Sequence, residues 1–229
     1  MNTRRFQPII IALIASIHCV SGQDVRSERN NVSKRNWHNF LQYVAPALKS
    51  TGSVGRLYYH SDCWTERGDG ILFPGLKLVA PAKSKTGLAA IQDIFRNEKQ
   101  VTITEGRFGI CRISMGSVSY ELLRTKIRML TLTSRQRYNI QDAIWAIEQT
   151  KEVEGKVREL KLEYPPTVFS GSVLEPAPDL PHLPVSLKDV TMDEALDRVA
   201  QTFGVLVKYG ECASGNGTRL IFVDFDYIR

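Results

Sequence analysis

The sequence predicts an α+β fold in which small mixed sheets carry helices on one face. Two observations lead to this prediction. Short apolar or alternating runs typical of strands recur along the chain, and stretches with apolar residues at three- and four-residue steps, typical of amphipathic helices, lie between them. Each part of the chain contains both kinds of run, which favours a mixed architecture over an all-helical or all-strand one.

The N-terminus has the form of a secretory signal peptide covering residues 1–22. Arg4 and Arg5 precede an apolar run at 9–15, and small residues follow before the first acidic residue, Asp24. The apolar run is too short to span the roughly 30 Å hydrocarbon core of a bilayer, so we expect cleavage; an uncleaved anchor is the alternative. The mature chain would then be periplasmic or secreted, with no stable transmembrane anchor.

The charge of the chain argues against a nucleic-acid partner. The formal net charge is +6, and cleavage after residue 22 would lower it to +4. Nucleic-acid readers concentrate their basic residues into a stripe. The densest basic stretch here contains Arg124, Lys126, Arg128, Arg135 and Arg137. We interpret it as a solvated strand edge, where charge discourages aggregation, with binding of an anionic polymer as the alternative.

A polar tail and a helix follow the signal segment. Residues 23–34 are polar and are predicted to be disordered. The next stretch predicts an amphipathic helix. Pro46 is expected to shorten this helix, because proline lacks a backbone donor and crowds the preceding turn. A strand at 54–60 should come next. The apolar residues of the helix are Trp37, Phe40, Leu41, Val44 and Leu48.

The following segment is predicted to form a β-α-β-β unit. A strand at 76–79 precedes a helix whose apolar face covers 88–95. Two strands at 101–104 and 110–115 then alternate around a glycine-containing turn at 105–109.

A third fragment continues this domain. It contains a strand at 127–132, a helix with an apolar face from Ile140 to Ile147 and Asn139 as its cap, and a strand at 157–164.

A proline-rich stretch at 165–182 is predicted to be an extended, semi-rigid linker. It divides the mature chain into an α+β domain at 35–164 and a short module at 183–229. Because a module of this length buries only a limited core, we expect it to dock on the larger domain or on a partner.

The C-terminal module is predicted to be a complete β-α-β-β unit. Thr191 and Glu194 can form a capping box at the start of its helix, in which each side chain bonds to the other residue's backbone. Gly204 supplies the left-handed position that ends the helix. The strands of the module are predicted at 184–190, 205–209 and 220–223.

The two β-α-β-β units align with each other without a gap. Thr86 aligns with Thr191 and Ala90 with Ala195. The chain therefore contains either an internal repeat or two unrelated pieces that share ordinary amphipathic spacing.

The segment from Val185 to Val223, about one-fifth of the chain, resembles the short N-terminal domain of secretins and TonB-dependent receptors. The likeness rests on an apolar strand, the pattern Thr-x-x-Glu-Ala-Leu, a helix ending in Phe-Gly and two further strands. The resemblance implies a periplasmic α+β unit that contacts other envelope proteins. A channel or barrel normally follows this domain in the family, so we do not expect transport to carry over to a chain that stops at Arg229. The resemblance also implies that Leu187, Ala195, Leu196, Val199, Leu206 and Ile221 are core residues.

One cluster of residues has the composition of a catalytic site. His60 and Cys63 lie close together in the sequence, and an imidazole can activate a thiol by stabilising its thiolate. A cysteine-dependent hydrolase or transferase using Cys63 and a histidine is therefore the alternative function. The favoured interpretation is structural, because one disulfide can form among Cys63, Cys111 and Cys212 in an oxidising compartment. The spacing does not select the pair.

The sequence contains no motif for a metal or a cofactor. The histidines lack paired ligands at helical spacing, and no phosphate-binding glycine loop occurs. We therefore predict an exported protein-interaction module without catalytic activity. Its partner would be another envelope protein or a second copy, contacted through exposed strand edges.

Overall fold

Two β-sheets and six α-helices form the computed structural model, which describes residues 11–50, 52–63, 71–165, 179–213 and 217–228, with side chains from residue 27 onward except at 108. The strands are β1 (Gly55–Asp62), β2 (Val101–Glu105), β3 (Cys111–Met115), β4 (Lys126–Thr131), β5 (Leu162–Glu163), β6 (Ser186–Thr191), β7 (Val205–Ala213) and β8 (Arg219–Tyr227). The helices are α1 (Ile11–Ser50), α2 (Gly87–Ile94), α3 (Ser134–Tyr138), α4 (Ile140–Glu148), α5 (Lys151–Glu159) and α6 (Met192–Phe203).

The larger sheet is mixed and has the strand order β2-β3-β1-β7-β8-β5. β1 runs parallel to both of its neighbours, β3 and β7. β2 and β8 are antiparallel to β3 and β7, respectively, and β5 is parallel to β8 over two residue pairs. The second sheet consists of β4 and β6 in antiparallel pairing. The predicted α+β class with mixed sheets is confirmed.

Helices cover both faces of the larger sheet, not one face as predicted. Successive side chains of a strand point to opposite faces, so Leu57 and Tyr58 of β1 enter two different cores. Leu57 packs in a core that contains Phe40 of α1 and Ile91 of α2. Tyr58 belongs to the core formed with α4, α5 and α6.

The first helix is longer than the sequence predicts. α1 continues through 23–34, where we expected disorder, and Pro46 lies inside the helix without ending it. The polar part of α1 is held by the loop after β1: the backbone N–H of Phe73 donates to Ser33 Oγ over 2.8 Å, and the Asn36 amide donates to the Phe73 carbonyl over 3.3 Å. The predicted signal peptide lies partly outside the described residues.

The predicted strand at 76–79 does not form, and the first unit is therefore α-β-β. The backbone of this stretch bonds to residues around α2 instead: the N–H of Val79 donates to the Ile94 carbonyl over 3.2 Å, and the N–H of Lys77 donates to Glu98. The alignment of the two units also matches β2, an edge strand, with β7, a central strand. The topology therefore gives no support to an internal repeat.

The third fragment contains one correct helix and one wrong strand. Asn139 caps α4 by accepting a hydrogen bond from the N–H of Asp142 over 3.0 Å, as predicted. The stretch predicted as a strand at 157–164 is mostly α5 and the turn after it. Val153 and Val157 are four residues apart and both buried, which is the spacing of one helix face. Only the two residues of β5 are extended.

The local structure predicted for the C-terminal module is confirmed. Thr191 and Glu194 form the capping box, and Gly204 ends α6 with a φ of 64°. The module is not a separate domain, however, because β6 pairs with β4 and β7 lies between β1 and β8. Most of the predicted linker at 165–182 lies outside the described residues. The six residues expected in the core are all buried: Leu187, Ala195, Leu196, Val199, Leu206 and Ile221.

A disulfide joins Cys63 to Cys212. Cys63 directly follows β1, and Cys212 lies near the end of the neighbouring strand β7, so the bridge links strands that are also hydrogen-bonded to each other. The two cysteines are 149 residues apart in sequence. Cys111, at the start of β3, is a buried free thiol.

Removing the disulfide should destabilise the protein substantially. A bridge that closes a loop of this length restricts the unfolded chain, and its loss is expected to cost about 3–5 kcal/mol of unfolding free energy. The measurement is urea unfolding of the double variant Cys63→Ala/Cys212→Ala beside wild type, each with and without reductant. Reductant should destabilise wild type and leave the double variant unchanged. Cys111→Ala is the control: it should stay sensitive to reductant, and an insensitive Cys111→Ala would contradict the observed pairing.

Candidate functional site

The predicted catalytic pair has no available nucleophile. Cys63 is in the disulfide, and a disulfide sulfur cannot ionise to the attacking thiolate. His60 lies on β1 with an exposed side chain. Burial raises the pKa of Cys111, the free thiol among the described side chains, to about 12, so it stays protonated at neutral pH. The structure thus corrects the alternative prediction of a cysteine-dependent enzyme that uses Cys63.

The basic stretch at 124–137 does not form a single surface of unpaired cations. Lys126 and Arg128 are exposed on β4, which agrees with a solvated strand. Arg135 pairs with Asp142 at 2.6 Å, and Arg137 donates to the Leu183 carbonyl over 2.8 Å.

Within the described residues, no cluster of three or more His, Cys, Asp or Glu side chains has the arrangement of a metal site. In the same part of the chain, no helix combines the length and hydropathy needed to cross a membrane.

The most concentrated group of charges joins β1, β3 and α6. Arg56 of β1 is fully buried, and its guanidinium lies 2.8 Å from Asp197 Oδ1 and 3.0 Å from Asp193 Oδ1. Arg112 of β3 approaches the second oxygen of Asp193 at 3.1 Å and also pairs with Asp197. The Tyr58 hydroxyl donates to Asp193 Oδ1 over 2.9 Å. We call these five residues the Arg56 cluster.

The Arg56 cluster holds the structure together. Its two cations and two carboxylates pair with each other, and Arg56 also donates to the Asp193 backbone carbonyl over 2.9 Å. Since Arg56 and Asp197 are buried, the pairing fixes where α6 lies on the sheet. The cluster therefore serves to position the C-terminal helix.

A cavity of about 350 Å³ lies between α4, α5 and the edge of the larger sheet. Three separate parts of the chain supply its walls, together with the two residues that follow β5. The lining residues are Gln141, Trp145, Glu148 and Gln149 from α4 and the turn after it, Glu154, Val157 and Arg158 from α5, Tyr164 and Pro165, and Ile221, Phe222 and Val223 from β8.

Two polar groups of this cavity have no partner in the described part of the chain. The Tyr164 hydroxyl is buried and makes no hydrogen bond there. The Glu148 carboxyl has neither a hydrogen bond nor an ion pair among the same residues, and burial raises its pKa to about 8. Burial, and after it the nearby Glu148, raise the pKa of Tyr164. Burial therefore favours the neutral form of both groups, and both line the same cavity.

In the described part of the chain, the strand that borders the cavity is paired along only one side for most of its length. β8 pairs with β7 along its whole length, but β5 covers only Arg219 and Leu220 on the other side. For Ile221–Asp226, the structure describes no strand on that side. Tyr164 and Pro165, which directly follow β5, line the cavity beside this part of β8. We call Ile221–Asp226 and the adjoining cavity the β8 cleft.

Sequence reasoning missed the residues of the β8 cleft. One signal was present: Trp145 interrupts the polar face of the predicted helix at 140–147, and its side chain is 41% exposed. Tyr164 was assigned to a strand, and Glu148 was not singled out. Their proximity depends on how α4, α5 and β8 pack, which local periodicity does not reveal.

Comparison of the chain with protein-family models, with curated proteins and with solved structures finds no match.

Disrupting the Arg56 cluster should be much more destabilising than removing an exposed pair. Arg56→Met leaves two carboxylates without their buried partner, and the loss of one member of a buried ion pair costs about 3–5 kcal/mol. Arg107→Met is the matched control, because Arg107 is 80% exposed in its pair with Glu194 and such pairs contribute about 0–1 kcal/mol. Urea unfolding of both variants provides the comparison. Equal losses would show that the cluster does not hold α6.

The stability of the Glu148→Gln variant should depend on pH. In wild type the folded-state pKa of Glu148 is raised to about 8, above the unfolded value, so its contribution to stability is fully present below about pH 4 and is lost as the pH rises through 8. Glutamine cannot ionise. We therefore expect equal stability of variant and wild type near pH 4, and a more stable variant at pH 9, by roughly 1–2 kcal/mol after allowing for solvent screening.

The measurement for Glu148 is urea unfolding at pH 4, 6 and 9, with Glu159→Gln as the control. Glu159 is an exposed glutamate of α5 outside the cavity. A Glu148→Gln effect that is the same at all three pH values would contradict a buried, neutral carboxyl.

Proposed function

We propose that this chain is an exported, noncatalytic protein-binding module of the periplasm or the extracellular space, and that it accepts a strand of its partner along β8. The observation that carries the proposal is the stretch Ile221–Asp226, which no described strand covers on its outer side and which lies beside a cavity with polar groups that have no described partner. An exposed strand edge presents backbone N–H and C=O groups that an incoming extended peptide can pair with.

The position of β5 indicates how a partner strand would enter. β5 is parallel to β8 and ends after two residue pairs, Leu162 with Arg219 and Glu163 with Leu220. A partner strand placed beyond β5 would continue the same row of the sheet along β8. Alternate side chains of that strand would point to one face, where the cavity can receive one of them. Backbone pairing would provide affinity, and the cavity would provide specificity.

Export is supported by the disulfide and by the form of the N-terminus. Disulfides such as Cys63–Cys212 form and persist in oxidising compartments. Residues 1–22 have the charge and hydropathy pattern of a signal peptide. The likeness of the C-terminal segment to the short N-terminal domain of secretins and TonB-dependent receptors makes another envelope protein the proposed partner, with a second copy of this chain as the alternative.

Site-specific photo-crosslinking tests this function. Benzoylphenylalanine placed at Phe222 should crosslink to one defined protein in the envelope fraction of the producing cells, because this residue lies on the open edge. The same label at Met129, which is 50% exposed on the other sheet, should not give that product. Mass spectrometry and light scattering then distinguish an envelope partner from a second copy. No product at Phe222, together with a monomer in solution, would overturn the proposal.

Proline substitutions give a matched control for the open edge. Successive backbone N–H groups of an edge strand point alternately toward the neighbouring strand and toward the open side. Of Phe222→Pro and Val223→Pro, one removes a bond to β7 and lowers stability, and the other removes only an outward donor. Thermal unfolding identifies the outward variant. That variant should stay folded and lose its partner, as measured by pull-down; full retention of the partner would contradict strand addition.

A further inference from the structure

We infer that the cavity of the β8 cleft binds a cationic side chain, a lysine or an arginine of the partner strand. This inference rests on the proposed strand addition for its biological setting, but the cavity can be tested separately with small cations. Three features of the cavity favour such a ligand: an acidic group without a counterion, apolar walls for an alkyl stem and an unpaired hydroxyl.

The acidic group is the Glu148 carboxyl. It lines the cavity, and no cation among the described residues pairs with it. The one cationic side chain in the lining is Arg158, which is 72% exposed and lies 3.9 Å from Glu154 Oε2. The cavity therefore has a place for one positive charge next to Glu148. A charge-assisted hydrogen bond to a carboxylate is about twice as strong as a neutral one.

The apolar walls suit the stem of a long cationic side chain. Trp145 of α4 and Val157 of α5 both line the cavity, and β8 contributes Ile221 and Val223. Lysine and arginine carry an apolar stem that packs on such surfaces while the charged end reaches a polar group. An indole ring also attracts a cation placed over its face. A purely apolar side chain would leave the buried Tyr164 hydroxyl without a hydrogen bond and would give Glu148 no counterion, which is unfavourable.

Binding of a cation is expected to be linked to proton release. Burial raises the pKa of Glu148 to about 8 and so favours its protonated form, whereas an entering cation would favour the ionised form. The other titratable or charged groups that face this carboxyl are Glu154 and Arg158 from α5 and Tyr164 after β5, whereas β8 contributes Ile221–Val223, which carry no charge. Affinity should therefore rise with pH until Glu148 is ionised, and stay constant above that point.

The experiment uses three small probes on the whole protein. N-acetyl-lysine methylamide and N-acetyl-arginine methylamide carry the proposed charge, and N-acetyl-norleucine methylamide has nearly the shape of the lysine probe without it. Carbon-13 NMR follows the Glu148 side-chain carboxyl and its pKa, and titrations at pH 6 and pH 9 give the affinities. We expect a cationic probe to bind at least tenfold more tightly at pH 9 than at pH 6 and to lower the pKa of Glu148. The tighter of the two cationic probes identifies the residue.

Two variants make the result decisive. Glu148→Gln should lose at least tenfold in affinity at pH 9 and lose the pH dependence, whereas Glu159→Gln should behave as wild type. Norleucine binding equal to that of both cations at pH 9, or unchanged cation binding by Glu148→Gln, would overturn the inference. Because the probes contain no strand, cation binding without a crosslink at Phe222 would reject strand addition alone. A crosslink without cation binding would reject the cation site alone.

Discussion

Arg56 carries a positive charge at a position that water does not reach, and the C-terminal half of the protein is placed so as to neutralise it. The partners are Asp193 and Asp197, one turn apart on α6. A buried guanidinium without a counterion is strongly unfavourable, so α6 has to lie on β1 in one position and one rotation. β6 and β7 are joined directly to the two ends of α6. Through β7 the same constraint fixes β8, and with it the edge that borders the cavity.

The β8 cleft and the Arg56 cluster differ in whether their charged groups have counterions. The Arg56 cluster pairs two cations with two carboxylates, although Arg56 Nε and Nη2 and Arg112 Nε make no hydrogen bond. In the cavity, the Tyr164 hydroxyl makes no hydrogen bond and Glu148 has no cationic partner among the described residues. Unpaired polar groups in a poorly hydrated place reduce the stability of a protein. Natural proteins often retain such a cost where binding requires it. The lack of a counterion for Glu148 among the described residues, beside the paired charges of the Arg56 cluster, is our reason for proposing recognition at the cleft.

The sequence predicts the local elements of this fold much better than their arrangement. The capping box of Thr191 and Glu194, the left-handed Gly204 and the Asn139 cap depend on residues a few positions apart, and all three are found. The strand predicted at 157–164 is wrong. Val153 and Val157 have the four-residue spacing of one helix face, but the apolar residues after Val157 made the stretch look like a strand. The cavity brings together α4, α5 and β8, whose packing no local pattern specifies. Among the lining residues, Trp145 alone gave a signal in the sequence, because a large aromatic residue on the polar face of the predicted helix indicates an exposed apolar surface.

The order of the strands determines when the protein can fold. β7 is the second-last strand in the sequence but lies in the middle of the sheet, between β1 and β8. Until β7 has been synthesised, β1 lacks one of its two neighbours and both cores lack residues that close them, Leu206 on one face and Val207 on the other. Contacts between distant segments form slowly. A nascent chain of this topology therefore cannot complete either core until almost all of it has been synthesised.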